Sequence, residues 1–494
     1  MSTTSERSSV DRADTTAASS ARDLRGWISE VEQFGELKRI DGADWDIEIG
    51  AITELGHHLG EKSHALLFDN VKGYPAGYRV LSNTLNTVRR IATTLHMTTE
   101  EGTKAELVRT IKSHITDVPR VAPQVVKDGP ILENVYQGKD IDLWKFPTPK
   151  WHELDGGRYI GTGSVDITRD PDDGWVNLGT YRVMIHDEDT LGFYISPGKQ
   201  GRIMREKYFA RGEPCKVAVS FGQDPLIYLA GGMEVPHGVS EYEWVGGLQG
   251  GPVQVIEGDY TGLPIPAHAE IVIEAEALPG ETREEGPFGE WTGYYASAMR
   301  PEPIMKVKRL YHRDDPILLG APPTRPPCEF NYMRCFMRAA MVWQELEAAG
   351  VPDVRGVWCH ESGGSRLLTF VSIKQRYPGH ARQAGMIAAY CHAGGYLGRY
   401  VVVVDDDIDV TNTNDVLWAV ATRSNPEQDI EIIRRSWSGA LDPIIPTGQK
   451  GHSSRAVIDA CRPYEWIGEF PPVAESSPEV RRAVEEKWGK ILFE

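Results

Sequence analysis

Along DLRGWISEVEQFGELKRI, apolar residues recur at helical spacing, and Leu24, Trp27, Ile28, Val31 and Phe34 fall on one face. Asp23 stands where a helix needs a capping side chain, Gly35 where it stops, and ELKRI reads as the strand that follows. Further αβ material, with ALLFDNV as a short strand, completes an N-terminal domain over 23–125. From 126 to 325 the period changes. GSVDITRD, VNLGTYRVMIHD, LGFYIS, CKVAVSFG, EIVIEAEAL and MKVKRLYHR alternate in short runs, punctuated by Gly, Pro and Asp, which predicts a β-rich, barrel-like domain. EFNYMRCFMRAAMVWQELEAAG predicts a linker helix within 326–349. Over 350–470, LLTFVSIK, HARQAGMIAAYCHA and YVVVVDDDIDV give strand, helix and strand. The valine run 401–404 has the uniform apolarity of a strand buried on both faces. The segment 471–494 carries a terminal helix with Ser477 and Pro478 at N-cap and N1. Its apolar face of Val480, Ala483, Val484, Trp488, Ile491 and Leu492 needs a host, in its own domain or in a neighbouring subunit.

Composition narrows the partners. The chain has 494 residues, 40% hydrophobic and 25% charged, enough for about three domains with sizeable cores. A net charge of -18 without a long basic run argues against nucleic acid and anionic membrane. No apolar run approaches the length of a membrane span. Residues 1–22 hold ten Ser or Thr and little to bury, so a disordered tail is expected, and they lack the apolar core of a signal peptide. Six cysteines without CxxC spacing point to reduced thiols and a cytoplasmic protein. Familiar motifs fail: GTGSVD lacks the third glycine of a dinucleotide fingerprint, HELDG and HESGG lack a second histidine, and no GxSxG is present. The acidic run 405–409 at the end of the valine strand reads as solvated or capping carboxylates and not as a metal site.

The densest chemistry lies in REEGPFGEWTGYY, Arg283–Tyr295. Glu285 and Glu290 are five residues apart and would face opposite sides of an unbroken strand, but the Gly-Pro-Phe-Gly insertion can turn both to one side. Within WVNLGTYRVMI, strand alternation puts Asn177, Gly179 and Tyr181 on one face and Leu178, Thr180 and Arg182 on the other. Alone, Arg182 would read as a rim charge. Beside two carboxylates it would split their proton affinities, leaving one ionised and pushing the other towards holding a proton. That is equipment for delivering a proton to a carbanion.

Taken together, DLRGWISEVEQFGELKRI, NLGTYRVMI, SEYEWVGGL, EIVIEAEALPG, EGPFGEWTGYY and VVVVDDDIDV with DVLWAVATR resemble the UbiD family of reversible decarboxylases, across all but the N-terminal tail. The resemblance implies an α+β fold: an N-terminal αβ domain, a central split β-barrel holding prenylated FMN, a linker helix, and a C-terminal αβ domain that builds homodimers or homohexamers. It implies manganese (or magnesium) and potassium at the cofactor phosphate, and a flavin prenyltransferase that supplies the cofactor. Arg182, Glu285 and Glu290 fall on the family's catalytic positions, with Glu290 as general acid/base, Arg182 orienting the network and Glu285 tuning Arg182. Asn177 and Glu241 fall on metal ligands, and Thr180 joins them at the cofactor. Gln200, in SPGKQGRIM, stands where the family pattern has histidine, and its carboxamide oxygen is expected to complete the metal site. Trp291 and Pro327, with Pro326 and Phe330, are candidate substrate walls; barrel core and helix entry are their plainer roles. The implied activity is non-oxidative, reversible decarboxylation of an aromatic, heteroaromatic or α,β-unsaturated carboxylic acid. A split-barrel flavin reductase and a non-catalytic carboxylase subunit are the alternatives, and neither accounts for the arginine with its two glutamates.

Overall fold

The computed structural model describes residues 23–493 apart from 116–117, 234, 236–237, 447 and 450. The Ser/Thr-rich segment 1–22 lies outside the described residues. The first helix, Leu24–Gln33, opens with the Asp23 carboxylate accepting the Gly26 N–H at 2.8 Å, and buries Leu24, Trp27, Ile28 and Val31. Gly35 then takes φ +81°, which the chain needs to turn into the strand Leu37–Asp41. That strand lies parallel to Ala65–Asp69 in a four-stranded sheet completed by Arg79–Ser82 and Ile317–Leu319. The last of these returns from beyond the central strands, so the first sheet is closed by chain that has already built the second.

The central sheet has eight strands. Six follow one path: Thr190–Gly192, Arg300–His312, Ile271–Ala277, Cys215–Ser220, Val165–Arg169 and Val176–Gly179. Thr282–Glu285 and Asn134–Gln137 add to Arg300–His312, which therefore serves as a spine for four partners. Among the described residues the two ends of the path do not pair with each other, so no closed barrel forms; Leu191 at one end is bridged to Ile185, just after Val183–Met184, which suits the split barrel expected. The run VNLGTYRVMI is also not one strand. Val176–Gly179 pairs with Val165–Arg169, the chain leaves the ladder over Thr180–Arg182, and Val183–Met184 pairs instead with Tyr159–Gly161. The cause is local. The Tyr181 ring folds back over Gly179, where any side chain would overlap it.

The linker helix, Glu329–Ala348, is buried along most of its length. It leads to a five-stranded sheet ordered Val354–Cys359, Leu368–Ile373, Tyr400–Asp405, His452–Ala460 and Ile430–Trp437. Val401–Val404 are all buried, as their uniform pattern requires. Of the acidic run after them, Asp406 and Asp409 are solvated, and Asp409 accepts Thr411 N at 2.8 Å, but Asp405 and Asp407 are ion-paired. Asp405 is 1% exposed and accepts from Gln375, Arg423 and the Arg462 backbone, while Asp407 takes Arg423 in a two-point pair at 2.9 and 2.8 Å. These carboxylates are ion-paired because Arg423 and Arg462 lie over the strand end. Among the described residues no His, Cys, Asp and Glu group forms a metal cluster, no helix is long and apolar enough to cross a membrane, and all six cysteines are free. The terminal helix, Pro478–Phe493, is capped by the Ser477 hydroxyl on Val480 N at 3.3 Å. None of its residues is buried, and Trp488, Ile491 and Phe493 stand in the open.

Candidate active site

Because the ladder breaks at Thr180–Arg182, the Arg182 side chain turns inward instead of standing on a sheet edge. Its guanidinium meets Glu285, the last residue of Thr282–Glu285, at two points: Nε to Oε1 at 2.9 Å and Nη2 to Oε2 at 2.8 Å. Its Nη1 donates to Glu290 Oε1. The side chains of all three residues are at most 8% exposed. Both glutamates thus reach one cation from opposite ends of the Gly-Pro-Phe-Gly turn, as their spacing requires. The turn is held from behind. Asp155 Oδ1 accepts Gly289 N at 3.3 Å and the Tyr295 hydroxyl at 3.2 Å, and Gly156 N donates to Pro287 O at 2.8 Å. A Cβ on Gly156 would overlap the Gly286 carbonyl, so the two segments approach as closely as backbone allows.

One cation against two buried carboxylates leaves a negative charge in excess. Burial raises the Glu290 carboxyl above the ordinary glutamate value, opposed by the Arg182 charge and reinforced by Glu285. For Arg182, burial works against the charge, but Glu290 and Glu285 outweigh it and the guanidinium is held more firmly protonated than usual. Two aromatic residues not singled out from sequence complete the setting. The Tyr159 hydroxyl donates to Glu285 Oε1 at 3.0 Å, and the Tyr194 ring lies 4.0 Å beneath the guanidinium. A desolvated contact of the latter type is worth up to about 2 kcal/mol. Tyr159 sits in GGRYIGTG, where no local pattern marks it; only the fold brings it to Glu285. Tyr194 lies in LGFYIS, whose alternation had suggested nothing beyond a strand.

A second group gathers around the strand Val176–Gly179, just before the break. Glu241, at the start of the helix Glu241–Leu248, accepts Leu178 N at 2.8 Å and Asn177 Nδ2 at 3.0 Å. Asn177 Oδ1 is buried and has no hydrogen-bond partner. Among the described residues no lysine or arginine pairs with Glu241, and burial pushes its carboxyl up to about 8 against the hydrogen bonds from Leu178 and Asn177. An orphaned amide oxygen beside an uncompensated carboxylate is what a hard, oxygen-preferring cation requires, so these residues fit the expected metal. Gln200 is not in a loop. It begins the helix Gln200–Ala210, and no hydrogen bond among the described residues joins it to Asn177 or Glu241. Thr180 accepts from Arg334 Nη2 at 3.0 Å, and that guanidinium stacks 3.6 Å over Phe330.

The substrate-wall candidates sit at a domain junction. The Trp291 carbonyl accepts Asn331 Nδ2 from the linker helix at 2.8 Å, and its indole lies where a side chain on Gly364 of the C-terminal sheet region would be. Pro327 is half-buried at the entry to the linker helix. The two segments touch, since a Cβ on Gly293 would come within 3.0 Å of Pro326 Cδ.

Three family models cover this architecture in order. They are the N-terminal (residues 28–108), Rift-related (124–326) and C-terminal (331–460) domains of 3-octaprenyl-4-hydroxybenzoate carboxy-lyase. A pyrrole-2-carboxylic acid decarboxylase of Pseudomonas aeruginosa is 32% identical over 96% of this chain and 99% of that protein. A phenolic acid decarboxylase of Streptomyces is 31% identical over 92% and 96%. Among solved structures, the UbiD-class enzyme HmfF from Pelotomaculum thermopropionicum, in complex with FMN, superposes with a TM-score of 0.82 at 30% identity, covering 93% of this chain and 98% of that one. Fold and relatives agree on the class: the protein is a decarboxylase, a carboxy-lyase. Within that class the chain belongs to the UbiD family.

Proposed function

We propose that the protein decarboxylates an aromatic or heteroaromatic carboxylic acid, reversibly and without net oxidation, with prenylated FMN as cofactor. The observation that carries this is the buried Arg182 shared between Glu285 and Glu290. Prenylated FMN, when bound, supplies the sink for the electrons left behind by carbon dioxide. The chain's residues do the rest. Arg182 stays charged and orients the cluster. Glu285, held at two points and by Tyr159, anchors Arg182. Glu290, held by one contact and raised by burial, carries the proton that replaces the departing carboxyl on the substrate carbon, and takes it back in the reverse direction. Asn177 and Glu241, with Gln200 at the neighbouring helix start, would hold manganese or magnesium, whose positive charge would help retain the anionic cofactor, as would potassium.

The names of the relatives support a flat acid such as pyrrole-2-carboxylate or a phenolic acid as substrate. Trp291 and Pro327 would border it on the side of the linker helix. The free cysteines fit a cytoplasmic setting. The bare apolar face of Pro478–Phe493 fits a homo-oligomer in which a second subunit receives that helix, and light scattering should show at least a dimer at micromolar concentration. The direct test is carbon dioxide release from a panel of such acids by protein co-expressed with a flavin prenyltransferase. Turnover of at least one acid is expected. Equal turnover by protein carrying unmodified FMN would overturn the cofactor assignment, and no release from any acid would overturn the function.

A further inference from the structure

One buried acid has no place in the scheme above. Asp166, in the middle of Val165–Arg169, is 0% exposed; neither carboxylate oxygen makes a well-formed hydrogen bond, and the Tyr181 backbone N–H is the one donor near enough to favour its charge among the described residues. Such a group costs several kcal/mol unless something satisfies it. No lysine or arginine pairs with it among the described residues, in contrast to Glu285 and Glu290. The strand register shows where it faces. Asp166 is opposite Gly179, and Thr168 is opposite Asn177, so Asp166 and Asn177 are diagonal neighbours on one face of the sheet. Diagonal pairs lie about 7–8 Å apart, a gap that two short side chains and a cation with bonds of about 2.1 Å to oxygen can bridge.

The surroundings close this face. Thr168 Oγ1 contacts Met204 Sδ of the helix Gln200–Ala210 at 3.2 Å, and the Tyr181 ring lies over Gly179 with its hydroxyl accepting Gly201 N at 3.2 Å. Burial raises that phenol, and the charges of Asp166 and Glu241 both raise it further, so the two acids flank a common neighbour. Three orphaned or uncompensated oxygen groups, from Asp166, Asn177 and Glu241, therefore meet one helix start, with no protein cation among them.

We propose that Asp166 is a ligand of the same divalent cation as Asn177 and Glu241, bringing to the site a second carboxylate that neither Asn177 nor Gln200 can provide. This rests on the reading of Asn177 and Glu241 as cation ligands. A second carboxylate would bind Mn2+ or Mg2+ more tightly than an amide alone and would account for an acid in mid-sheet. It would also make Gln200 the more dispensable of the two.

The test is Mn2+ binding to purified protein, by calorimetry and by metal content after dialysis, with flavin content and Tm recorded alongside. Asp166→Asn should weaken Mn2+ at least tenfold, and Glu241→Gln at least as much, while Gln200→Ala does less. Asp166→Val, which suits a strand and removes the unpartnered oxygens, should be at least as stable as wild type without metal but gain no Tm from Mn2+. If Asp166→Asn and Asp166→Val bind within threefold of wild type while Glu241→Gln does not, Asp166 is not a ligand and the cation site stands without it. If Glu241→Gln also binds normally, the underlying cation site falls, and Asp166 with it. Failure of the Val variant to fold would also contradict the proposal, because a cation ligand is expendable to the cation-free fold.

Discussion

The segment 177–182, where the strand Val176–Gly179 ends, carries opposite electrostatic solutions at its two ends. On the Arg182 side, every buried charge has a partner in the chain: the guanidinium holds Glu285 at two points and Glu290 at one, and Tyr159 and Tyr194 fill the remaining directions. On the Asn177 side, Glu241 and Asp166 have no cation, and Asn177 keeps an empty oxygen. The first cluster is finished by folding; on the proposal above, the second would be finished by a bound cation. The contrast teaches where to look for chemistry and where for ligand. A self-compensated cluster with one surplus negative charge can hold and release a proton. A set of buried oxygens without a protein cation favours, on the proposal above, a bound positive ion.

Breaking the first cluster should cost most. Arg182→Ala leaves two carboxylates buried without a cation, and removing one partner of such a pair typically destabilises by about 3–5 kcal/mol. Turnover should fall by at least about 10²-fold, as when a fixed charge at a reacting centre is lost. Urea unfolding and carbon dioxide release check the two effects. A variant with wild-type stability would show that the glutamates had been neutral all along.

Emptying the second region should cost less. Chelation of the holoprotein is expected to release flavin and lower stability, and restoring Mn2+ at about 100 times its Kd should return ~2.7 kcal/mol. Flavin absorbance in the protein fraction and Tm report on it. Retention of all flavin after complete metal removal would separate the oxygen cluster from the cofactor.

The smallest effect is in pH. Burial raises Glu290, so the folded protein keeps a proton that the unfolded chain has already released. Its contribution to stability is complete below the ordinary glutamate range and is lost as pH rises through the raised value; decarboxylation should decline along the same limb. Glu290→Gln should flatten that part of the stability-versus-pH curve. An unchanged slope would place the surplus proton elsewhere.

Much of this was legible before folding. The helix at Leu24, the valine strand and the carboxylate turn each carry a short-range signal: a period, a uniform run, a spacing. The order of the central strands was not, because it is decided by pairing between distant segments. Nor was the break at Thr180, since VNLGTYRVMI alternates well; only Tyr181 lying over Gly179 ends the ladder. The helix that starts at Gln200 was not marked either, because SPGK before it carries no helical period. Tyr159 and Asp166 were invisible for one reason: their meaning lies in what the fold sets beside them.

The most direct test of the central claim is hydrogen exchange on the decarboxylated product, which needs proton transfer but no carbon dioxide. The holoenzyme in D2O should place deuterium on the ring carbon that had carried the carboxyl, followed by NMR. In Glu290→Gln that exchange should drop by ~10²–10⁴-fold, the usual worth of a general acid/base, with flavin and metal content unchanged. Exchange in the variant within about threefold of wild type would remove Glu290 from the proton's path, far below what such a group contributes.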